Sequence, residues 1–295
     1  MFSTFLKAKP VIDEASKEWI FDTFYWSMQQ LDGDFFKNSS ELILPNNNFY
    51  PGSSSSVEEM AGTIFSNTLK YTGMTKWPLK LVPADNFRQK PMPQLFFQSP
   101  LRGESAKISA YANSNGSSNI SYKVEGEAVA PDLDTSIDIA FHSSQLNQPQ
   151  DMIAYLVQIQ AGILVNQHAV LPSDTDISRK DAPGGKDALA QTIDLVACFM
   201  GFGVIFANTA YQFKGGCGSC NNRNLNRQAA LPELETVYAL ALFCVIKAID
   251  IKQVKKELKS HLYKPFRQAH KEITLYLQQT ANTEHAQLLI AKRNI

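Results

Sequence analysis

Net charge, cysteine and histidine are all scarce in this chain, and each scarcity excludes something. Lysine plus arginine (28) balances aspartate plus glutamate (28), so no long-range basic field draws the protein to nucleic acid. Four cysteines in 295 residues are too few for a disulfide scaffold. Two of them, Cys198 and Cys244, fall inside apolar helical patterns and read as core residues. The stretch from Met1 to Pro10 holds no apolar run of signal-peptide length, and Asp13 and Glu14 stand where such a run would lie. The expectation is a cytoplasmic protein with neither nucleic acid nor membrane as partner. Histidine appears only as singletons, His142, His168, His261, His270 and His285, so no pair stands at the spacing with which one helix face grips a metal ion.

What is present is enough apolar material for a sizeable core: 44% of the residues are hydrophobic. The length suits a single domain of two lobes, a mixed lobe over about 1–130 and a helical lobe over about 131–295. The 19 residues from Leu195 to Phe213 carry no charge. Their strictly apolar part, Leu195 to Ala207, is shorter than a membrane span, and Asp194 precedes it, which predicts a buried core helix.

Helical spacing of Trp19, Phe24, Met28 and Leu31 predicts a first helix over 13–31, capped by Asp13 and ended by Gly33. A short strand is expected over 41–45, then a loop, then a helix from near Ser56 to Gly73. From Leu79 the period changes to two, predicting strands at 79–82, 95–97, 107–111 and 120–124, the last two pairing across residues 113–118. Beyond Asp151 the pattern turns helical: 151–167, 187–213, 232–249 and two segments within 252–279. Strands first and helices after indicate an α+β protein, with N-terminal helices, a small twisted mostly antiparallel sheet and a C-terminal helical bundle.

Several segments, Leu42-Ile-Leu-Pro-Asn-Asn-Asn-Phe-Tyr-Pro-Gly52, Gly73-Met-Thr-Lys-Trp-Pro78, Gly201-Phe-Gly-Val-Ile-Phe-Ala-Asn208 and Gly215-Gly-Cys-Gly-Ser-Cys220 among them, resemble a group of bacterial proteins of unassigned function. The wider relatives of that group look like zincin-type metallopeptidases. The resemblance implies a zincin-like arrangement in which a strand leads into a helix carrying His-Glu-x-x-His. Two histidines four apart reach one zinc ion, and the glutamate activates its water. Here the corresponding helix reads Val157-Gln-Ile-Gln-Ala-Gly-Ile-Leu164, so Gln158 and Gly162 stand at the histidine positions and Ile159 at the glutamate. A neutral amide is a poor zinc ligand and glycine is none. The expectation is a degenerate metallopeptidase scaffold, a pseudoenzyme without catalytic residues or cofactor.

On that helix Ile153, Val157, Gln160 and Leu164 form the expected buried stripe, while Tyr155, Gln158, Gly162 and Asn166 share the other face. That face, with Asp194 from the next helix, is the candidate vestigial cleft. The plainer alternatives are ordinary amphipathicity for the face and a hydrogen-bonded structural acid for Asp194. Gly162 also suits a close helix approach.

A second candidate is Lys214-Gly-Gly-Cys-Gly-Ser-Cys-Asn-Asn-Arg223. Cys217 and Cys220 could hold half of a zinc site or form a redox pair. No second ligand pair completes such a site, and a structural glycine turn explains the same residues. Lys214, Arg223 and Arg227 beside glycine amides make a candidate anion site, with a solvated basic loop as the bland alternative. Gly201 and Gly203 should let the helix carrying them pack closely and antiparallel against the Tyr238, Leu242 and Val245 stripe. The leading expectation is a non-catalytic binding or interaction protein, with a protein partner or a homo-oligomer possible. The alternative is a hydrolase or thiol- or metal-dependent protein built on the Cys217–Cys220 loop.

Overall fold

The computed structural model describes residues 10–52, 56–90, 93–98, 100–111, 136–166, 182–210 and 227–280. Local chemistry sets the first elements. Asp13 caps α1 (Glu14–Gln30) by accepting the Ser16 amide at 2.9 Å, and Ser56 caps α3 (Val57–Thr72) by accepting the Glu59 amide. Gly73 ends α3 in the left-handed region at φ 74°, where the absence of a side chain makes that conformation cheap. Gly33 does not end the helical run as the sequence predicted. Asp32 turns the chain at φ 63° and a short α2 (Gly33–Asn38) follows.

Four strands are described, β1 (Leu79–Pro83), β2 (Gln94–Gln98), β3 (Lys107–Tyr111) and β4 (Ile137–Phe141). They make two two-stranded sheets: β1 with β4 in parallel, and β2 with β3 antiparallel. This corrects the expectation of one mostly antiparallel sheet. The pairing expected for β3 involves residues outside those described. No strand forms over 41–45; instead Ile43 donates its amide to the Gly201 carbonyl at 3.0 Å, and Leu42 and Ile43 are buried.

The helical half follows as α4 (Pro149–Asn166), α5 (Leu189–Ala197), a π-helical turn at Cys198–Phe202, α6 (Gly203–Thr209), α7 (Glu233–Ile246), α8 (Ile251–Glu257) and α9 (Ser260–Gln279). The run 189–209 is apolar and long enough to cross a membrane. Every residue from Leu195 to Ala207 is buried against the rest of the chain, as in a core helix. Gly201 breaks it at φ 101°, and a side chain there would strike the Glu41 carbonyl. A Cβ on Gly201 would lie 3.5 Å from Phe243 and one on Gly203 3.0 Å from the Leu240 Cβ. The two contacts run in opposite sequence order, so this helix crosses α7 antiparallel as expected, with the glycines against Leu240 and Phe243 rather than the expected stripe of Tyr238, Leu242 and Val245.

One apolar cluster spans both halves of the chain, from Ile20 and Phe24 through Phe199 to Phe243 and Phe266. Phe36 stacks on Phe199 at 4.4 Å and meets Phe243 edge-on at 5.7 Å. Two cations attend this ring stack: the buried Arg102 guanidinium lies 5.5 Å from Phe199, and Lys247 Nζ lies 5.2 Å from Phe36. Arg102 also donates to the carbonyls of Leu31 and Asp32, tying β3's approach to the end of α1. Burial pushes the Arg102 pKa down to about 10, against the opposing pull of Asp32. The fold is therefore mixed and helix-rich, with few strands, an α+β architecture.

Candidate functional site

The helix singled out by the sequence, α4, is enclosed on most sides. Its predicted stripe of Ile153, Val157, Gln160 and Leu164 is buried as expected, and the polar member of that stripe is satisfied. Gln160 accepts from Thr72 Oγ1 at 3.0 Å and donates to Thr68 Oγ1 at 3.2 Å, so both ends of the amide tie α4 to α3.

The opposite face does not open as a free polar surface. Tyr155 is buried, and its hydroxyl donates to the Ala140 carbonyl of β4 at 2.8 Å; burial raises its pKa. Gly162 faces Ile193 of α5, and a methyl added there would meet the Ile193 Cδ1 at 3.5 Å, an ordinary contact. The glycine is thus not demanded by an unusually close approach. Asn166 turns back on its own helix and donates to the Gly162 carbonyl.

Gln158 and Asp194 do come together, as the cleft reading required. The Gln158 amide nitrogen donates to Asp194 Oδ1 at 2.7 Å and to the Gln228 carbonyl at 2.9 Å, while its oxygen accepts the Gln228 amide at 3.3 Å. Asp194 is fully buried, and its Oδ2 takes three further donors: Arg227 Nη2 at 3.0 Å, the Ala230 amide at 2.9 Å and the Leu231 amide at 3.1 Å. One carboxylate thereby fastens α4, α5 and the chain entering α7. Such saturation is how a buried charge is made tolerable.

Arg227, which the sequence offered as an anion ligand on a loop, is only 1% exposed. Its guanidinium pairs with Asp194, donates to the Phe206 carbonyl and to Thr209 Oγ1 at 2.7 Å, and lies 4.0 Å from the Phe206 ring centre. Lys214, Cys217, Cys220 and Arg223 lie outside the described residues. Cys198 and Cys244 are buried, and burial pushes both thiols well above the ordinary range, so neither is a nucleophile at neutral pH. Near the start of α4, burial raises the Asp151 carboxyl, opposed by the attraction of Lys259 and Arg227. Among the described residues no group of three or more His, Cys, Asp or Glu side chains converges to hold a metal ion.

Sequence reasoning missed the Asp194–Arg227 pair because the two residues are 33 positions apart. Its only local sign was a lone acid bordering an apolar run and a lone arginine after a polar one. With this geometry in view, no family model, curated protein or solved structure matches the chain.

Proposed function

We propose that this protein is a non-catalytic binding or interaction protein on a degenerate zincin-like scaffold, working in the cytoplasm. The observation that carries the reading is the engagement of Gln158. The residue at the first histidine position of the resembled motif is spent on Asp194 and on the main chain of Gln228. A divalent ion there would find one amide, one glycine and a carboxylate already holding four donors, a set that neither binds zinc firmly nor activates water. The order of strand β4 before helix α4, joined by the Tyr155–Ala140 bond, supports the zincin-like part of the proposal.

The test is elemental analysis of protein purified without chelator, together with hydrolysis of a peptide library. The expected result is no stoichiometric zinc and no chelator-sensitive cleavage. Stoichiometric zinc that disappears in Gln158→Ala, accompanied by such cleavage, overturns the proposal. Zinc that survives in Gln158→Ala and disappears in Cys217→Ser transfers the function to the cysteine loop.

A further inference from the structure

A self-complementary surface lies where side chains of α1 reach those of α9. Lys17 of α1 pairs with Glu272 of α9 at 2.5 Å, and one turn further along Phe21 packs on Tyr276 with ring centres 5.0 Å apart. Because both contacts advance by four residues in the same sense, the two helices are parallel and in a defined register. The Tyr238 hydroxyl donates to Glu272 from beneath, at 3.3 Å, and fixes that register to the core.

Each helix turns a single sign of charge outward. On α9, Lys264, Arg267 and Lys271 recur at helical spacing and are all exposed, opposite the buried Phe266 and Ile273. On α1, Glu14, Glu18 and Asp22 recur at intervals of four and are also exposed, opposite the buried Ile20 and Phe24. Between the stripes stand Leu275 and Tyr276, each 49% exposed and among the most exposed large apolar side chains described. An acidic stripe, an apolar strip and a basic stripe thus lie next to one another on one face of a chain with zero net charge.

We infer that this face docks a second copy of the same chain about a two-fold axis running along the α1–α9 seam. Rotation by 180° about an axis parallel to the two helices places α1 of one protomer opposite α9 of its partner at the same height. In the register set by Lys17 and Glu272, Glu14 and Glu18 then meet Arg267 and Lys271 of the partner subunit. Phe21 and Tyr276 meet across the axis, which covers the exposed ring and Leu275. A polyanionic partner fits less well, because the acidic stripe beside the lysines would repel a nucleic acid or an anionic membrane. This inference is independent of the zinc argument and survives or fails without it.

Sedimentation velocity at about 50 mM and about 500 mM salt reads the prediction, since exposed pairs are screened at the higher value. The wild type should sediment as a dimer at low salt and shift toward monomer at high salt. Glu14→Lys/Glu18→Lys and Arg267→Glu/Lys271→Glu, each checked by circular dichroism, should be monomers alone and restore the dimer when mixed. Should either reversal fail to fold, Leu275→Ser in the wild-type background supplies the second test and should also weaken the dimer. A monomeric wild type at low salt, or a dimer indifferent to both reversals and to Leu275→Ser, overturns the inference. Binding of the wild type to an acidic peptide or anionic vesicles in preference to itself does so equally.

Discussion

Replacing Asp194 by asparagine probes the centre of the clamp most directly. In the wild type the carboxylate receives Gln158, Arg227 and the amides of Ala230 and Leu231 at 2.7 to 3.1 Å, and Asp194 and Arg227 are both buried. Asparagine keeps one acceptor oxygen but brings an NH2 group that faces donors, and it leaves the Arg227 charge buried without its partner. Losing one member of a buried pair costs about 3–5 kcal/mol, against a total stability of about 5–15 kcal/mol for a native domain. Urea unfolding followed by far-ultraviolet circular dichroism should show that loss as a lower midpoint with an unchanged slope. The double variant Asp194→Leu/Arg227→Met should recover the part of the loss caused by the stranded charge, while the Gln158, Ala230 and Leu231 donors, left without their acceptor, keep the rest of it. A cost below about 1 kcal/mol for Asp194→Asn, the value of one ordinary hydrogen bond, or a double variant no better than the single, would refute the clamp.

Two further outcomes follow from the same geometry. Gly162→Ala should raise stability by about 1 kcal/mol, since the added methyl meets Ile193 at ordinary contact distance and alanine is the better helix former; a lower urea midpoint would contradict this. Burial alone would lower the Lys17 pKa, but hydrogen bonds and charge from Glu14 and Glu272 outweigh it, so the group is raised above 10.5. A raised base stabilises the fold below its unfolded pKa and loses that contribution as pH climbs through the folded value. Melting curves between about pH 10 and 12 should therefore fall more steeply for the wild type than for Lys17→Met; parallel slopes would dismiss the coupling.

Elements with strong local signals were legible from residues alone. The cap at Asp13, the helix start near Ser56 and the glycine stop at Gly73 fall where the sequence placed them, because each is decided within four residues. Strand β4 escaped notice: its five residues alternate in burial as a strand should, but its partner β1 lies 58 positions earlier and pairs in parallel, which no turn announces. The segment 41–45 has strand composition, yet Gly201 offers it a carbonyl and an open groove instead of a ladder. For the candidate site, the sequence could show what was missing from Gln158 and Gly162. It could not show that Arg227 would arrive from beyond α6 to neutralise Asp194, since that meeting is a product of packing rather than of spacing.

The bond from Arg227 to Thr209 has a consequence for the stretch of chain numbered 210–226. Its two ends are held together by a guanidinium that also joins α5 to α6, so closure of the ring is maintained by the scaffold. Closure entropy grows only logarithmically with length, and doubling such a ring adds about 0.6 kcal/mol. By closure entropy alone, lengthening the connection between Thr209 and Arg227 would thus burden the bond that joins its ends little.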